Sequence, residues 1–188
     1  MSLSGAYDAQ MDCQACRTRR FAFTQARAAF VYRGAIREAI HAFKYQQRHR
    51  LGRWLATAMA QTARTAWSPS TIDAIVPVPM HRLKQWTKGL NPAAALAEHV
   101  ATTLDRPYRP AELARARWTR SQTRLTPRQR LRNVAGAFRV RPNRVHGATV
   151  LLVDDVFTTG ATAHACAMAL RDAGARAVLT LAAAATPQ

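Results

Sequence analysis

The stretch VLLVDDVFTTGAT, residues 150–162, places an apolar strand pattern, two acidic residues and a hydroxyl-rich turn in direct succession. Residues 150–153 show no polar alternation, which is typical of a central parallel strand with both faces buried. Asp154 and Asp155 are expected at the exit of this strand. Because successive strand residues point to opposite faces, the two carboxylates cannot both enter the core without partners. The stretch therefore predicts a polar site at the end of a buried strand.

The residues after the carboxylates predict a phosphate-binding turn. Backbone amides and the positive end of a helix dipole attract an anion where a strand passes through glycine into a helix. A ribose 5-phosphate fits this order, because its hydroxyls can donate to Asp154 and Asp155 while its phosphate contacts the turn. The turn consists of Thr158, Thr159, Gly160, Ala161 and Thr162. The alternative is a solvated acidic turn before a threonine-capped helix; no nucleoside triphosphate or dinucleotide glycine motif occurs in the chain.

The segments around this stretch alternate between helix and strand patterns. Helices are predicted at 32–47, 51–63, 91–104 (with an Asn91 cap), 126–134 (with a Thr126 cap) and 160–174. Strands are predicted at 72–78, 108–116, 148–155 and 175–185. This alternation predicts an α/β fold with a mostly parallel sheet and helices on both faces. Ligands of such sheets bind beyond the carboxyl ends of the strands, where residues 154–162 are expected.

The composition predicts a folded and strongly basic domain. The chain has 188 residues, of which 48% are hydrophobic, and its 28 Lys and Arg against 10 Asp and Glu give a net charge of +18. Ten arginines and no acidic residue lie between Arg115 and Arg144. Such clustering predicts a polyanionic partner. A generally basic proteome, or a surface kept basic for solubility, is the alternative.

The cellular location of the protein and its redox environment are predicted from the signal, membrane and disulfide patterns that the sequence lacks. The N-terminal residues have no apolar core of a secretory signal, and no segment approaches the ~20 apolar residues of a membrane span. We therefore expect a cytoplasmic protein. Three cysteines, an odd number, argue against a disulfide framework. Cys13 and Cys16 form a C-x-x-C pair, and Cys166 is predicted to be a small core residue.

The strand, the acidic pair and the turn resemble the phosphoribosyl pyrophosphate (PRPP) loop of type I phosphoribosyltransferases. Three further segments resemble the ComF/GntX family of competence proteins: YRGAIREAIHAFKYQQ (32–47, with Lys44), VPVPMHRLKQWTKGLNPAAALA (76–97) and RARWTRSQTRLTPRQRLRNVAGAF (115–138). The resemblance covers residues 30–185. It implies a type I phosphoribosyltransferase fold for residues 30–188 with a small N-terminal helical or hood region, and a role in DNA uptake during natural transformation.

The resemblance also implies a chemistry, in which a nucleophile displaces pyrophosphate from C1 of PRPP with Mg²⁺ as cofactor. Asp154 and Asp155 would face the ribose hydroxyls and Mg²⁺, directly or through water. The loop 79–91 would hold the pyrophosphate, with His81, Arg82, Lys84 and Lys88. The segment 119–132 would form a flexible flap, with Arg120, Arg124, Arg128 and Arg132. For each of these basic residues an ordinary surface role is the alternative.

The chain departs from the family in two places. Family members carry an N-terminal zinc ribbon with paired C-x-x-C knuckles, and here Cys13 and Cys16 form a single pair. Because a structural zinc needs four ligands, residues 1–29 are predicted to be a poorly structured remnant without zinc; His41 and His49 as further ligands are the alternative. Residues 88–92 read K-G-L-N-P, where the family has R-G-F-N-Q, so the planar donors of Arg and the aromatic ring are missing.

Two functions remain open at this point. The first is a phosphoribosyltransferase that acts on PRPP and an unidentified base or amine. The second is a non-catalytic module of the competence machinery that binds single-stranded DNA or senses a nucleotide. Trp86 and Trp118 lie in basic segments, which suits base stacking on a single strand, although Trp86 could equally anchor its loop. Expected partners are PRPP or a phosphoribosyl nucleotide, single-stranded DNA, and competence proteins such as a helicase or a DNA-processing factor.

Overall fold

The computed structural model describes residues 21–46, 48–80, 91–117, 126–141 and 144–187. The helices and strands are β1 (Gln25–Val31), α1 (Gly34–Tyr45), α2 (His49–Ala66), a 3₁₀ turn (Pro69–Thr71), β2 (Ala74–Pro77), α3 (Pro92–Leu104), β3 (Leu113–Arg115), α4 (Pro127–Val134), β4 (Phe138–Val140), β5 (Thr149–Phe157), α5 (Ala161–Asp172) and β6 (Ala177–Ala185). Within the described residues, none of the helices combines the length and the apolar character needed to cross a bilayer.

Four strands form one parallel sheet in the order β1-β6-β5-β2. The central strand β5 pairs with β2 through residues 150–153 and with β6 on its other side. Residues 150–153 are fully buried, because helices cover both faces of the sheet. The predicted α/β class, with a mostly parallel sheet and helices on both faces, is confirmed.

Alternate residues of β5 enter two hydrophobic cores on opposite faces of the sheet. Leu151 and Val153 belong to the core formed with α1, α2 and α3. Val150 and Leu152 belong to the core formed with α4, α5 and the β3–β4 ribbon. This alternation follows from the two-residue period of a strand. It also fixes the faces to which the next two residues of β5 point.

Both predicted helix caps are confirmed. Asn91 Oδ1 accepts a hydrogen bond from the Ala93 N–H at 3.2 Å at the start of α3. Asn91 Nδ2 donates to Val78 O at 3.1 Å, which ties this helix to the chain just after β2. Thr126 Oγ1 accepts from the Gln129 N–H at 3.3 Å, and Gln129 Oε1 accepts from the Thr126 N–H at 2.9 Å. This reciprocal pair is a capping box at the start of α4.

The central strand is longer than predicted. β5 runs through Asp154 and Asp155 to Phe157, whereas the sequence pattern predicted an exit at the carboxylates. The physical reason is that residues 154–157 continue to pair with β6. The two carboxylates therefore belong to the strand itself and have a backbone fixed by the sheet.

The strand predicted at 108–116 is wrong in extent. Only Leu113–Arg115 is a strand, and it pairs antiparallel with β4, which was not predicted, in a two-stranded ribbon outside the main sheet. Pro107 and Pro110 lack the backbone donors that a longer sheet strand needs. Tyr108 makes a single parallel bridge to Ile75 of β2.

Residues 25–31 form a strand, β1, that was not predicted. It pairs in parallel with β6, from Gln25 opposite Leu179 to Val31 opposite Ala185. The predicted boundary between a remnant at residues 1–29 and the main domain falls inside this strand. Residues 1–20, including Cys13 and Cys16, lie outside the described part of the chain.

Candidate functional site

The strands β2 and β5 are parallel neighbours of unequal length, and the space beyond their carboxyl ends, called the crevice below, is the candidate site. β2 ends at Pro77, opposite Val153, whereas β5 continues to Phe157. The next described helices lie on opposite faces of the sheet, α3 after β2 and α5 after β5. Where neighbouring parallel strands lead to helices on opposite faces, ligands bind in the crevice at their carboxyl ends. Residues 154–157 of β5 border this crevice.

Asp155 forms an ion pair with a lysine of α1. Lys44 Nζ lies 2.7 Å from Asp155 Oδ2, and the two side chains are 22% and 20% exposed. Ile40 and Phe43 of α1 are buried in the core on this face, so the helix holds Lys44 against the sheet. Burial acts to lower the pKa of Lys44, but the charge and the hydrogen bond of Asp155 outweigh it and raise this pKa. Lys44 is therefore a protonated ammonium group in the site.

Asp154 points to the opposite face, towards Arg115 of β3 and Cys166 of α5. Burial and, secondly, the charge of Asp155 raise the pKa of Asp154 to about 7. The Asp155 N–H, which donates to Asp154 Oδ1 at 2.8 Å, and the charges of Lys44 and Arg115 act in the other direction. The two neighbouring carboxylates thus differ: one pairs with an ammonium group, and the other takes up a proton near neutral pH.

Cys166 is a core residue, as predicted. Its side chain is fully buried among the apolar residues of α5 and β5. Burial and the charge of Asp154 raise the pKa of its thiol well above the ordinary value. The thiol is therefore neutral and is a poor nucleophile.

The turn after β5 has the shape that an anion needs. Gly160 is the N-cap residue of α5 and has a left-handed backbone, with φ 72° and ψ 0°, which glycine adopts at little cost. The first amides of α5 have no acceptor within the helix and point out of its N-terminus. The Thr159 hydroxyl is buried and has no hydrogen-bond partner within the described residues. The turn therefore offers several hydrogen-bond donors close together in the chain.

An aromatic cluster packs behind the turn. The Phe21 ring stacks on Phe23 with 4.7 Å between centroids and contacts the His164 ring at 5.8 Å. His164 Nδ1 accepts a hydrogen bond from the Ala22 N–H at 3.0 Å, so its proton is on Nε2, and burial lowers its pKa. His164 therefore attaches the chain before β1 to the first turn of α5. The alternating Phe21-x-Phe23 pattern was the sequence signal for this packing, which was not predicted.

Gly160→Ala is expected to lower the free energy of unfolding by about 2–4 kcal/mol. A Cβ at this position would lie 3.0 Å from Phe157 Cζ and 3.1 Å from Phe21 Cε1. Gly147 has φ +69° and nothing within 4 Å of its Cβ position, so Gly147→Ala should cost only about 1 kcal/mol. Urea denaturation of both variants checks this prediction. Equal losses would contradict the close packing of the turn.

Many of the predicted basic residues lie outside the described part of the chain. Arg132 is exposed in the last turn of α4, and Arg128 belongs to the same helix. The residues outside are Cys13, Cys16, His81, Arg82, Lys84, Trp86, Lys88, Trp118, Arg120 and Arg124. Their roles stay predictions. Among the described residues, His41 and His49 included, no three His, Cys, Asp or Glu side chains form a group that could hold a metal ion.

Two residues reach the site without having been predicted to act there with the carboxylates. Lys44 follows the buried Ile40 by one helical turn, so it continues the apolar face of α1. Arg115 follows the buried Leu113 by two residues and lies on the same face of β3. In both cases the sequence signal was a basic residue on the face of its helix or strand that the spacing of the apolar residues predicts to be buried.

The carboxylate pair does not fit a directly bound Mg²⁺. Mg²⁺ needs octahedral oxygen ligands, and the ammonium group of Lys44 already occupies Asp155 Oδ2 at 2.7 Å. Asp154 Oδ1 accepts a backbone hydrogen bond. Ribose hydroxyls, as neutral donors, fit these oxygens without opposing Lys44.

Comparisons with known proteins find relatives among competence and DNA utilization proteins. The chain is 33% identical to Competence protein F of Haemophilus influenzae, over 72% of this chain and 61% of the relative. It is 32% identical to the DNA utilization protein YhgH of Salmonella typhimurium, over 74% of this chain and 62% of the relative. It is 27% identical to Competence protein ComFC of Bacillus subtilis, over 87% of this chain and 66% of the relative.

The chain is thus similar to competence and DNA utilization proteins over most of its length. No family model matches it. It spans about three fifths of the length of the first two relatives, 61% and 62%. Among solved structures, it is similar to glutamine PRPP amidotransferase from B. subtilis, complexed with ADP and GMP, with a TM-score of 0.49 and 20% identity over 72% of this chain and 26% of that chain. PRPP synthetase from Mycobacterium smegmatis gives a TM-score of 0.39 and 17% identity over 70% of this chain and 33% of that chain.

Proposed function

We propose that the crevice binds a 5-phosphorylated ribose, as PRPP or a phosphoribosyl nucleotide, in a phosphoribosyltransferase-like site. The observation that carries this proposal is the short distance along the chain between two carboxylates and an anion-binding turn. Asp154 and Asp155 lie in the second half of β5, and Gly160, the N-cap residue of α5, follows five residues after Asp155. A phosphate and a diol on one small ligand match these two groups of atoms.

Each part of the site has a role in this proposal. The amides at the start of α5 and the hydroxyls of Thr158, Thr159 and Thr162 donate to the 5-phosphate. Asp154 and Asp155 accept from the ribose hydroxyls. The basic loop 79–91 and the arginines of 119–132 hold a pyrophosphate group, and Mg²⁺ enters with that group. When bound, Mg²⁺ neutralises charge on the pyrophosphate.

With PRPP as ligand, the reaction class is displacement of pyrophosphate from C1 by a base or amine. The chain's own contribution is to orient the ribose and to balance charge, because the leaving group is anionic and the ribose carbon becomes cationic. The ionised carboxylate of Asp155 near the ribose stabilises such a cation. Turnover is tested by release of pyrophosphate from PRPP and Mg²⁺ with a panel of bases, against the Asp154→Asn/Asp155→Asn variant. If the protein binds PRPP but releases no pyrophosphate from it, the site acts as a sensor of PRPP.

The relatives point to the process in which this site acts. Their names refer to competence and to DNA utilization. We propose that this chain acts in DNA uptake during natural transformation, alongside competence proteins such as a helicase or a DNA-processing factor. Pull-down of such partners from competent cells, with the unliganded and the PRPP-loaded protein compared, tests this role.

Phosphorus NMR of ribose 5-phosphate tests the phosphate end of the site. Wild-type protein should broaden or shift the phosphate signal, and Thr158→Val/Thr162→Val should weaken binding by about tenfold or more, since hydrogen bonds to a charged group are each worth about 1.5–3 kcal/mol. Thr57→Val is the matched control, because Thr57 is exposed on α2 and donates to Arg53 O. If the double variant bound as tightly as wild type, the turn would not hold the phosphate.

A second candidate function, binding of single-stranded nucleic acid, is favoured by an exposed aromatic surface. The Trp54 ring stacks on Phe30 with 5.0 Å between centroids and an angle of 15° between planes, and Trp54 is 49% exposed. Tyr45, which is 56% exposed, lies beside His41 with 4.6 Å between ring centroids. Five exposed arginines lie on or next to α1 and α2: Arg33, Arg37, Arg48, Arg50 and Arg53. Aromatic faces among positive charges suit stacking of unpaired bases.

Trp54→Ala is expected to weaken binding of a single-stranded oligonucleotide by about 1–3 kcal/mol, the value of one stacked base. Met168→Ala removes an apolar side chain of similar exposure, 47%, from α5 and should leave affinity unchanged. Fluorescence anisotropy across a salt series measures both effects. The logarithm of affinity should fall with a slope of about −0.7 per phosphate neutralised. A flat salt dependence would exclude this function.

A further inference from the structure

A basic side chain lies near each of the two carboxylates. Lys44 contacts Asp155 on one face of the sheet, and Arg115 lies near Asp154 on the other. The two cations come from different elements, α1 and β3, which pack on opposite faces. Each carboxylate therefore has a basic side chain of the protein near it on its own face of the sheet.

The position of Lys44 is fixed by the fold. Ile40 and Phe43 of α1 are buried, and a Cβ at residue 52 would lie 2.5 Å from the Phe43 ring, so α2 packs against this ring without a gap. α1 therefore cannot move Lys44 away from β5 without opening the core. The ammonium group is thus carried by a tightly packed helix, with less than a quarter of the side chain exposed.

A divalent cation on Asp155 would meet this ammonium group at close range. Both positive charges would compete for one carboxylate in a partly buried crevice, where like charges repel more strongly than in water. Mg²⁺ also releases its water ligands reluctantly. Lys44 therefore opposes the metal that the acidic pair would otherwise attract.

We propose that Lys44 takes the place of a metal ion at Asp155, so that the carboxylates bind ribose hydroxyls without a divalent cation. This inference rests on the proposed ribose-phosphate site and deepens it. Lys44 neutralises Asp155 and holds Oδ2 in one position for a hydroxyl donor. Mg²⁺ enters the site only with a ligand that carries pyrophosphate. Ligands with a 5-phosphate alone, such as ribose 5-phosphate and nucleoside monophosphates, bind independently of metal.

Binding of Mn²⁺ alone, followed by the loss of its free electron paramagnetic resonance signal, tests the role of Lys44. Lys44→Met should bind Mn²⁺ about tenfold more tightly than wild type, because the carboxylates lose their competing cation. Lys44→Met/Asp155→Asn should lose this gain, and Lys44→Arg, which keeps the charge, should behave as wild type. If wild type bound Mn²⁺ as tightly as Lys44→Met, the proposal would be overturned.

A second measurement on the wild-type protein needs no variant that could misfold. Calorimetric titration of ribose 5-phosphate should give the same affinity in EDTA as in Mg²⁺. Affinity that rises about tenfold or more with Mg²⁺ would overturn the proposal, because it would place a metal between ligand and carboxylates. Absence of ribose 5-phosphate binding in both conditions would contradict the proposed function instead, and the Mn²⁺ experiment would still decide the role of Lys44.

Discussion

Asp154→Asn is expected to raise the free energy of unfolding at pH 8 by up to about 4 kcal/mol and to leave it unchanged near pH 4. The pKa of Asp154 is raised from 3.8 to about 7 in the folded protein. Between these values the unfolded chain has released a proton that the folded chain retains, so stability falls as pH rises through this window. Above this pH window the loss of folding stability caused by ionisation of Asp154 is complete. Asparagine removes the ionisation and keeps an oxygen for the Asp155 N–H.

Urea denaturation in EDTA at pH values from 4 to 8 measures this effect. The gain in stability should grow with pH and level off above about pH 7, the raised pKa of Asp154. Asp172→Asn, at an exposed position at the end of α5, is the control and should follow the wild type at every pH. A gain that is equal at all pH values would mean that improved packing, rather than ionisation, stabilises the variant.

Lys44→Met is expected to lower the free energy of unfolding at pH 7 by about 2–3 kcal/mol. Removing one partner of a buried ion pair costs about 3–5 kcal/mol, and a reduced loss is expected because each side chain is about one fifth exposed. The loss arises from the unpaired charge of Asp155. Adding Asp155→Asn should therefore restore most of the stability.

A double-mutant cycle at positions 44 and 155 separates this coupling from the loss of packing. The pair of Arg176 and Asp73, 3.5 Å apart with side chains 65% and 49% exposed, provides the comparison. Arg176→Met should cost less than about 1 kcal/mol, as exposed ion pairs do. Additive effects of Lys44→Met and Asp155→Asn would show that the two charges do not stabilise each other.

Features that depend on neighbours along the chain could be predicted from the sequence. The apolar run 150–153 indicated a buried central strand, and both helix caps follow from a polar residue before proline. The turn at Gly160 was predicted for the same reason, since a strand, a glycine and a helix follow one another within a few residues. Short-range patterns fix such elements before tertiary packing contributes.

Features that depend on distant segments could not be predicted. β1 is a strand because β6 supplies its partner, and β5 passes the carboxylates because β6 continues beside it. The contact between Lys44 and Asp155 joins residues far apart in the sequence. The spacing of apolar residues in α1 placed Lys44 on the buried face of this helix. Its ion-pair partner, however, depends on how α1 packs on the sheet.

The central claim is that the carboxylates and the turn after β5 form one ribose-phosphate site. Calorimetric titration of PRPP with Mg²⁺ into wild type and into Asp154→Asn/Asp155→Asn tests it most directly. Wild type should bind, and the double variant, folded and with an intact turn, should bind about 100-fold more weakly or not at all, because charge-assisted hydrogen bonds to the ribose are lost. Equal binding by both proteins, or no binding by folded wild type, would contradict the account.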